Sequence, residues 1–243
     1  GSGAGRRNSS VIPVNSATTG VAGNQVTPGV AVDGAGNFAV AWAGPDGANS
    51  GIFVSRFLAD GTSVPASEVR VNTTTTGVRS APAVAMASDG RFVVAWESDQ
   101  SGTLQVYAQW YDATGVAVGG ETALTSVDAN GRPAVAMKVD NGEAVVAWVR
   151  SSAGQKDIFV RRYDATGSPL VIEVRVNTAV AGDQDEPAVS VGTFGEALVA
   201  WKGPGTGTDI FAQRFASNGQ KRLTEFVVNG TTAGDQATPS VSV

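Results

Sequence analysis

The sequence contains no cysteine and no histidine. No disulfide can staple it and no thiolate chemistry is open to it. The commonest general base and zinc ligand is missing as well. Charge is sparse: 16% of the 243 residues are Asp, Glu, Lys or Arg, the net charge is −5, and no basic run exceeds two residues, as in Arg6-Arg7. Phosphate backbones are held by clustered Lys and Arg, so no nucleic-acid partner is expected. No stretch approaches the roughly 18 apolar residues of a membrane helix, so membrane insertion is not expected. Residues 1–10, GSGAGRRNSS, carry no apolar signal segment and read as a flexible lead or cloning scar.

What is present is glycine, 31 residues of it, and a 42% hydrophobic share large enough to build a core. The apolar residues fall into short segments that repeat. FAVAW (38–42), FVVAW (92–96), EAVVAW (143–148) and EALVAW (196–201) place Trp42, Trp96, Trp148 and Trp201 at intervals of 54, 52 and 53. Before each lies a proline-led segment, strand A: PGVAV (28–32), PAVAM (82–86), PAVAM (133–137) and PAVSV (187–191). The turns between contain Asp33-Gly34, Asp89-Gly90 and Asn141-Gly142, pairs that tolerate the positive φ of tight hairpins, and Phe194-Gly195. Strand C reads IFVSRF (52–57), VYAQWY (106–111), IFVRRY (158–163) and IFAQRF (210–215), with aromatics at its second and sixth positions on one face. Strand D reads EVRVN (68–72), ETALTS (121–126), EVRVN (173–177) and EFVVN (225–229).

Every element has period two or a continuous apolar run, and none sustains a period of 3.6. Four strands in about 53 residues is the size of a propeller blade, whose apolar faces only its neighbours can cover. The fold expected is therefore all-β and β-propeller-like: four complete four-stranded blades, with units near 28–81, 82–132, 133–186 and 187–238. One extra strand stands at each end, VIPVN (11–15) in strand D wording and PSVSV (239–243) in strand A wording. A closed ring of five blades would need one further B–C pair. Two unpaired strands are edges that invite self-association or pairing with neighbouring repeats.

VNTTTTG (71–77), AGDQ (181–184 and 233–236), PAVAMASDGRFVVAW (82–96) and IFAQRF (210–215) together resemble the propeller-type repeats, about 50 residues long, of large secreted or surface-attached bacterial proteins. The likeness covers residues 11–243. It implies an extracellular or cell-surface location and a structural, adhesive or ligand-binding role. Unit 3 departs from it: SVDANGRP replaces the longer loop.

In AVAW the tryptophan and the valine two before it point to one face, which favours blade-to-blade packing over sugar stacking. Trp110 stands out because its counterparts are Arg56, Arg162 and Arg214, which makes it the aromatic to test as a sugar platform. The three arginines are expected to stack on a neighbouring aromatic or to pair with the strand D glutamates, Glu68, Glu121, Glu173 and Glu225. The A–B and C–D turns are short, while the B–C and D–A loops at the other end are long and variable, the usual place for binding residues. Its polar candidates are Asp46, Asn49, Asp99, Gln100, Gln105, Lys156, Asp157 and Asp209. Gln25, Gln184 and Gln236 recur and are expected to bond loop backbone. Asp183, Asp185 and Glu186 form a weak Ca²⁺ candidate, without the spacing of an EF-hand.

A histidine-free hydrolase would need two carboxylates. The acids here mostly sit at repeated turn positions, whereas an active site breaks symmetry once. The function expected on this reading is a non-enzymatic structural, adhesive or self-assembly module. A lectin-like carbohydrate-binding module with a glycan partner is the alternative, and a glycan-acting hydrolase the third.

Overall fold

The computed structural model describes residues 11–15, 23–47, 49–126 and 129–243. The lead at 1–10 lies outside them. The described residues form sixteen strands in four antiparallel sheets, each a meander in chain order. Blade 1 comprises β1 (Val26–Val32), β2 (Phe38–Asp46), β3 (Asn49–Phe57) and β4 (Val69–Arg70). Blade 2 comprises β5 (Arg79–Met86), β6 (Phe92–Ser98), β7 (Gln105–Tyr111) and β8 (Ala117–Ala123). Blade 3 comprises β9 (Ala129–Met137), β10 (Ala144–Ser152), β11 (Gln155–Tyr163) and β12 (Val174–Arg175). Blade 4 comprises β13 (Asp185–Val191), β14 (Ala197–Pro204), β15 (Thr208–Phe215) and β16 (Lys221–Val227). The expected propeller-type fold is what these residues build.

Small residues on one face of each blade meet large ones on the next. The forward face of blade 1, with Ala39, Ala41, Ala43, Ile52, Val54 and Val71, packs on the rear face of blade 2, with Phe92, Val94, Trp96, Tyr107 and Tyr111. Blades 2 and 3 repeat this around Trp148, and blades 3 and 4 around Trp201. The four strand B tryptophans are thus packing residues, each stacked on the strand C aromatic opposite it: Trp42 on Phe53, Trp96 on Tyr107, Trp148 on Phe159 and Trp201 on Phe211, with centroids 5.9–6.3 Å apart. Burying one such indole removes about 200 Å² from water, roughly 4–6 kcal/mol before entropy is counted.

Strand D differs between blades for a local reason. In blades 1 and 3 the chain after the C–D turn contains Pro65 or Pro169. Proline has no N–H for the ladder, so pairing shrinks to an isolated bridge and a two-residue strand. In blades 2 and 4 strand D runs for seven residues and bulges opposite Gln109 or Gln213 of strand C. A buried glutamine plugs each bulge. Gln109 Nε2 donates to the carbonyls of Trp110 and Val118, and Gln213 Nε2 to those of Arg214 and Arg222.

Residues 11–15 and 239–243 lie in no sheet. Val14 covers the rear face of blade 1 beside Trp42 and Phe57. At the other end, Thr238 N donates to Glu186 Oε2 and Val243 N to Ser190 Oγ, laying the segment along blade 4. No interblade core joins blade 4 to blade 1 among the described residues, so the four blades form an open arc.

Candidate functional site

The inner strands begin at a bulge. Each carries, near its start, a residue that precedes a proline and holds a left-handed backbone: Thr27 (φ 50°), Ala81 (48°), Arg132 (50°) and Glu186 (53°). Such a conformation costs a non-glycine residue on the order of 1–2 kcal/mol. It also throws the side chain out of the regular pleat, at the long-loop end. In blades 1 and 2 this position carries Thr27 and Ala81; in blades 3 and 4 it carries the charged Arg132 and Glu186.

Those charges meet. Arg132 Nε lies 3.2 Å from Asp185 Oδ1, and its Nη1 lies 3.9 Å from Glu186 Oε1. Lys156 Nζ is 3.1 Å from the second Asp185 oxygen, and Lys202 Nζ is 2.9 Å from Glu186 Oε1. On the other side of Arg132, its backbone N–H donates to Glu97 Oε2 at 3.0 Å, and Ser80 Oγ donates to Glu97 Oε1 at 2.6 Å. Three carboxylates and two lysines from blades 2, 3 and 4 thus gather around one arginine. The Lys202 hydrogen bond, the Thr238 amide and the charges of Lys202 and Arg132 hold the Glu186 carboxyl below the usual glutamate range, against a smaller opposing effect of burial. Among the described residues, Glu97 accepts from neutral donors only.

Of the polar residues nominated from the loops, only Lys156 belongs to this group. The others lock the loops. Asp157 accepts from Asn177 Nδ2 at 2.6 Å and Asp209 from Asn229 Nδ2 at 2.7 Å. Asp46 pairs with Arg70 at 3.1 Å. Asn49 donates to the Thr75 carbonyl, and Asp99 accepts the Val78 amide. Gln100 donates to Glu121 and accepts from Arg79, while buried Gln105 accepts from Thr125 Oγ1. Gln184 and Gln25 do bond loop carbonyls, those of Gly182 and Gly23, and Gln184 also accepts the Trp201 indole N–H at 2.9 Å.

Trp110 requires a correction. It is 2% exposed and packs between blades on Tyr163 and on Gly167, which closes the turn begun at Asp164, so it offers no face to a sugar. Arg56 occupies the same place between blades 1 and 2: it donates to the carbonyls of Ala113 and Thr114 and lies over Phe92. Arg162 clamps Gly195 and Ala216 of blade 4 in the same way. Three of the strand D glutamates bond elsewhere than to these arginines among the described residues. Glu121 and Glu225 cap the amides of Thr73 and Thr178 in the preceding blade, and Glu173 pairs with Arg150. Of the weak Ca²⁺ candidate, Asp185 and Glu186 are paired with protein cations, Arg132, Lys156 and Lys202.

Glu97, Arg132 and Lys202 were not singled out from the sequence. Their signal is a break in the repeat. The residue after each tryptophan is Ala43, Glu97, Val149 or Lys202, and the residue before each strand A proline is Thr27, Ala81, Arg132, Glu186 or Thr238.

No family model matches the sequence, and no curated protein is similar to it. Solved structures do share the fold. A Hadza microbial sialidase superposes with a TM-score of 0.59 at 13% identity, over 80% of this chain and 45% of that one. A protein of unknown function from Dyadobacter fermentans gives 0.53 at 14% identity, over 84% and 68%. An endo-arabinase from Bacteroides thetaiotaomicron gives 0.48 at 13%, over 84% and 81%. The chain spans less than half the length of the sialidase. At these identities the likeness shows the fold. It also corrects the expectation of a non-enzymatic structural, adhesive or self-assembly module: the fold shared here is one that carries an enzyme, the sialidase, so repetition of blades does not argue against catalysis.

Proposed function

We propose that this propeller acts on a glycan, engaged at the long-loop end by the cluster around Arg132. The observation that carries this reading is the break in symmetry there: charged residues replace Thr, Ala and Val at equivalent positions in blades 2, 3 and 4 alone. A protein of similar fold is named for sialidase activity, which supports it.

Glycoside hydrolysis takes one carboxyl that gives a proton to the leaving oxygen and one carboxylate that attacks or activates water. Glu186, kept ionised by Lys202 and the Thr238 amide, fits the second role. Glu97, positioned by Ser80 Oγ and the Arg132 backbone N–H, is the second carboxyl of the cluster and is assigned the proton-donor role in this reading. Arg132 lies between them and orients both, while Asp185 and Lys156 fix its guanidinium. The test is a glycan array followed by a turnover assay on whatever binds. The parent protein is expected to bind and cleave. Glu186→Gln and Glu97→Gln are each expected to lower turnover at least ~100-fold with binding retained, and Arg132→Ala to weaken binding. A parent protein that binds no glycan, or three variants that bind and turn over like the parent, would overturn the reading.

A further inference from the structure

One strand C position lies opposite the central valine of strand B in every blade. It holds Ser55, Gln109, Arg161 or Gln213. In three blades the side chain is long and reaches strand D. Gln109 donates to the Val118 carbonyl, Gln213 to that of Arg222, and Arg161 Nε to that of Val171 at 2.8 Å. Ser55 is too short for this. Its Oγ meets Ser67 Oγ at 3.5 Å, and Ser67 Oγ accepts the Arg56 N–H and donates to the Arg56 carbonyl. The strand edge is thereby satisfied, and beside it opens a cavity of about 390 Å³. Ser55, Phe57, Ser63, Pro65, Ser67 and Glu68 form its wall, with residues 13–15 on one side. Small-ligand sites measure about 300–1,000 Å³.

Blade 3 shows what chemistry suits that wall. Blades 1 and 3 share a two-residue strand D and an isolated bridge, Phe57 to Ser63 and Tyr163 to Pro169. Two residues past the bridge stand Pro65 and Val171. In blade 3 the Arg161 guanidinium group bonds the Val171 carbonyl and lies over the Tyr163 ring, 5.9 Å from its centroid. Blade 1 keeps the aromatic, as Phe57, and a backbone carbonyl, that of Pro65, at the equivalent places. It adds three serine hydroxyls and the Glu68 carboxyl to the wall. A guanidinium group matches this set: its in-plane N–H groups donate to oxygens while its face lies on a ring.

We propose that the cavity beside Ser55 binds a small free molecule bearing a guanidinium group, which takes in blade 1 the place that the Arg161 head group has in blade 3. An ammonium group is the poorer fit, because it is a compact, strongly hydrated charge without a planar fork of donors. The site is on a different blade from Glu97, Arg132 and Glu186, so it is separate from the glycan reading.

The probe is L-argininamide, titrated into the full chain and followed by the backbone amide signals in NMR. Saturable shifts are expected within residues 53–57 and 63–68. L-lysinamide, of equal charge, is expected to bind at least ~10-fold more weakly. Ser55→Gln supplies from within the amide that Gln109 and Gln213 bring to their blades. It is expected to weaken argininamide binding at least ~10-fold and to raise the melting temperature. Ser63→Lys, at an exposed residue of the wall, sets a like charge at the mouth and is also expected to weaken binding. It keeps the test valid if Ser55→Gln fails to fold. The proposal is overturned if argininamide does not bind, if its shifts fall outside these two segments, if lysinamide binds equally well, or if both variants bind as the parent does. The outcome is independent of glycan turnover.

Discussion

The Trp110 and Tyr163 rings meet across the boundary between blades 2 and 3, with centroids 5.6 Å apart and planes tilted by 49°. Tilted pairs at this distance gain from edge-to-face electrostatics as well as area. Trp110→Ala is expected to destabilise the chain by about 3–5 kcal/mol, read as a fall in the urea midpoint. Trp110→Arg should cost less, because arginine at that place already clamps the following turn in blades 1 and 3.

Gly167 sits under that tryptophan with φ at +88°, and a Cβ there would come within 2.7 Å of the Trp110 ring. Gly167→Ala combines a left-handed backbone with a clash against an immobile indole, so a loss of about 2–4 kcal/mol is expected. Gly154→Ala, at φ +80° with open space around it, meets only the backbone cost of about 1–2 kcal/mol. Thermal melts of the two variants separate the contributions.

Asn177 explains the recurring Val-Asn at the end of strand D. Its Oδ1 accepts the Ile158 amide, and its Nδ2 donates to Asp157 and to the Ala179 carbonyl. Asn177→Ala strands a buried N–H and frees the long loop, at a cost of about 2–3 kcal/mol. Amide exchange should show Ile158 losing protection before the centre of β10 does. Asn72 and Asn229 make the same bond to Ile52 and Ile210, and the same substitution there should act alike.

Glu186 links the cluster to pH. Its carboxyl is lowered in the folded chain by Lys202, the Thr238 amide and Arg132. A group lowered on folding contributes stability above its unfolded value, near 4.3. That contribution is lost as pH falls through the lower folded value. Stability is therefore expected to drop below about pH 4.3, and Glu186→Gln should flatten that limb while leaving the neutral plateau lower. Unfolding midpoints measured from pH 3 to 7, on the order of one per half unit, check it.

The sequence by itself determined the blade. Period-two runs of four or five residues, broken by Asx-Gly pairs and prolines, leave no stable alternative to short antiparallel strands. A sheet with two apolar faces must then be repeated to be covered. The even spacing of the strand C aromatics placed them on the tryptophan face, because side chains alternate along a strand. Which unusual residue mattered was decided only in three dimensions. Trp110 breaks the repeat as visibly as Arg132 does, yet one is sealed between blades and the other bridges two carboxylates, because strand C side chains on the forward face meet the next blade while the pre-proline bulge turns its residue out at the long-loop end. The polar loop residues looked like ligands in one dimension; in the fold Asn49 and Asp99 bond loop backbone, and Asp46, Gln100, Gln105, Asp157 and Asp209 bond neighbouring side chains. The exposure of Val228 is tertiary as well: the same strand D position is dry in the three blades that pack on a following sheet and wet in the fourth, which packs on none among the described residues.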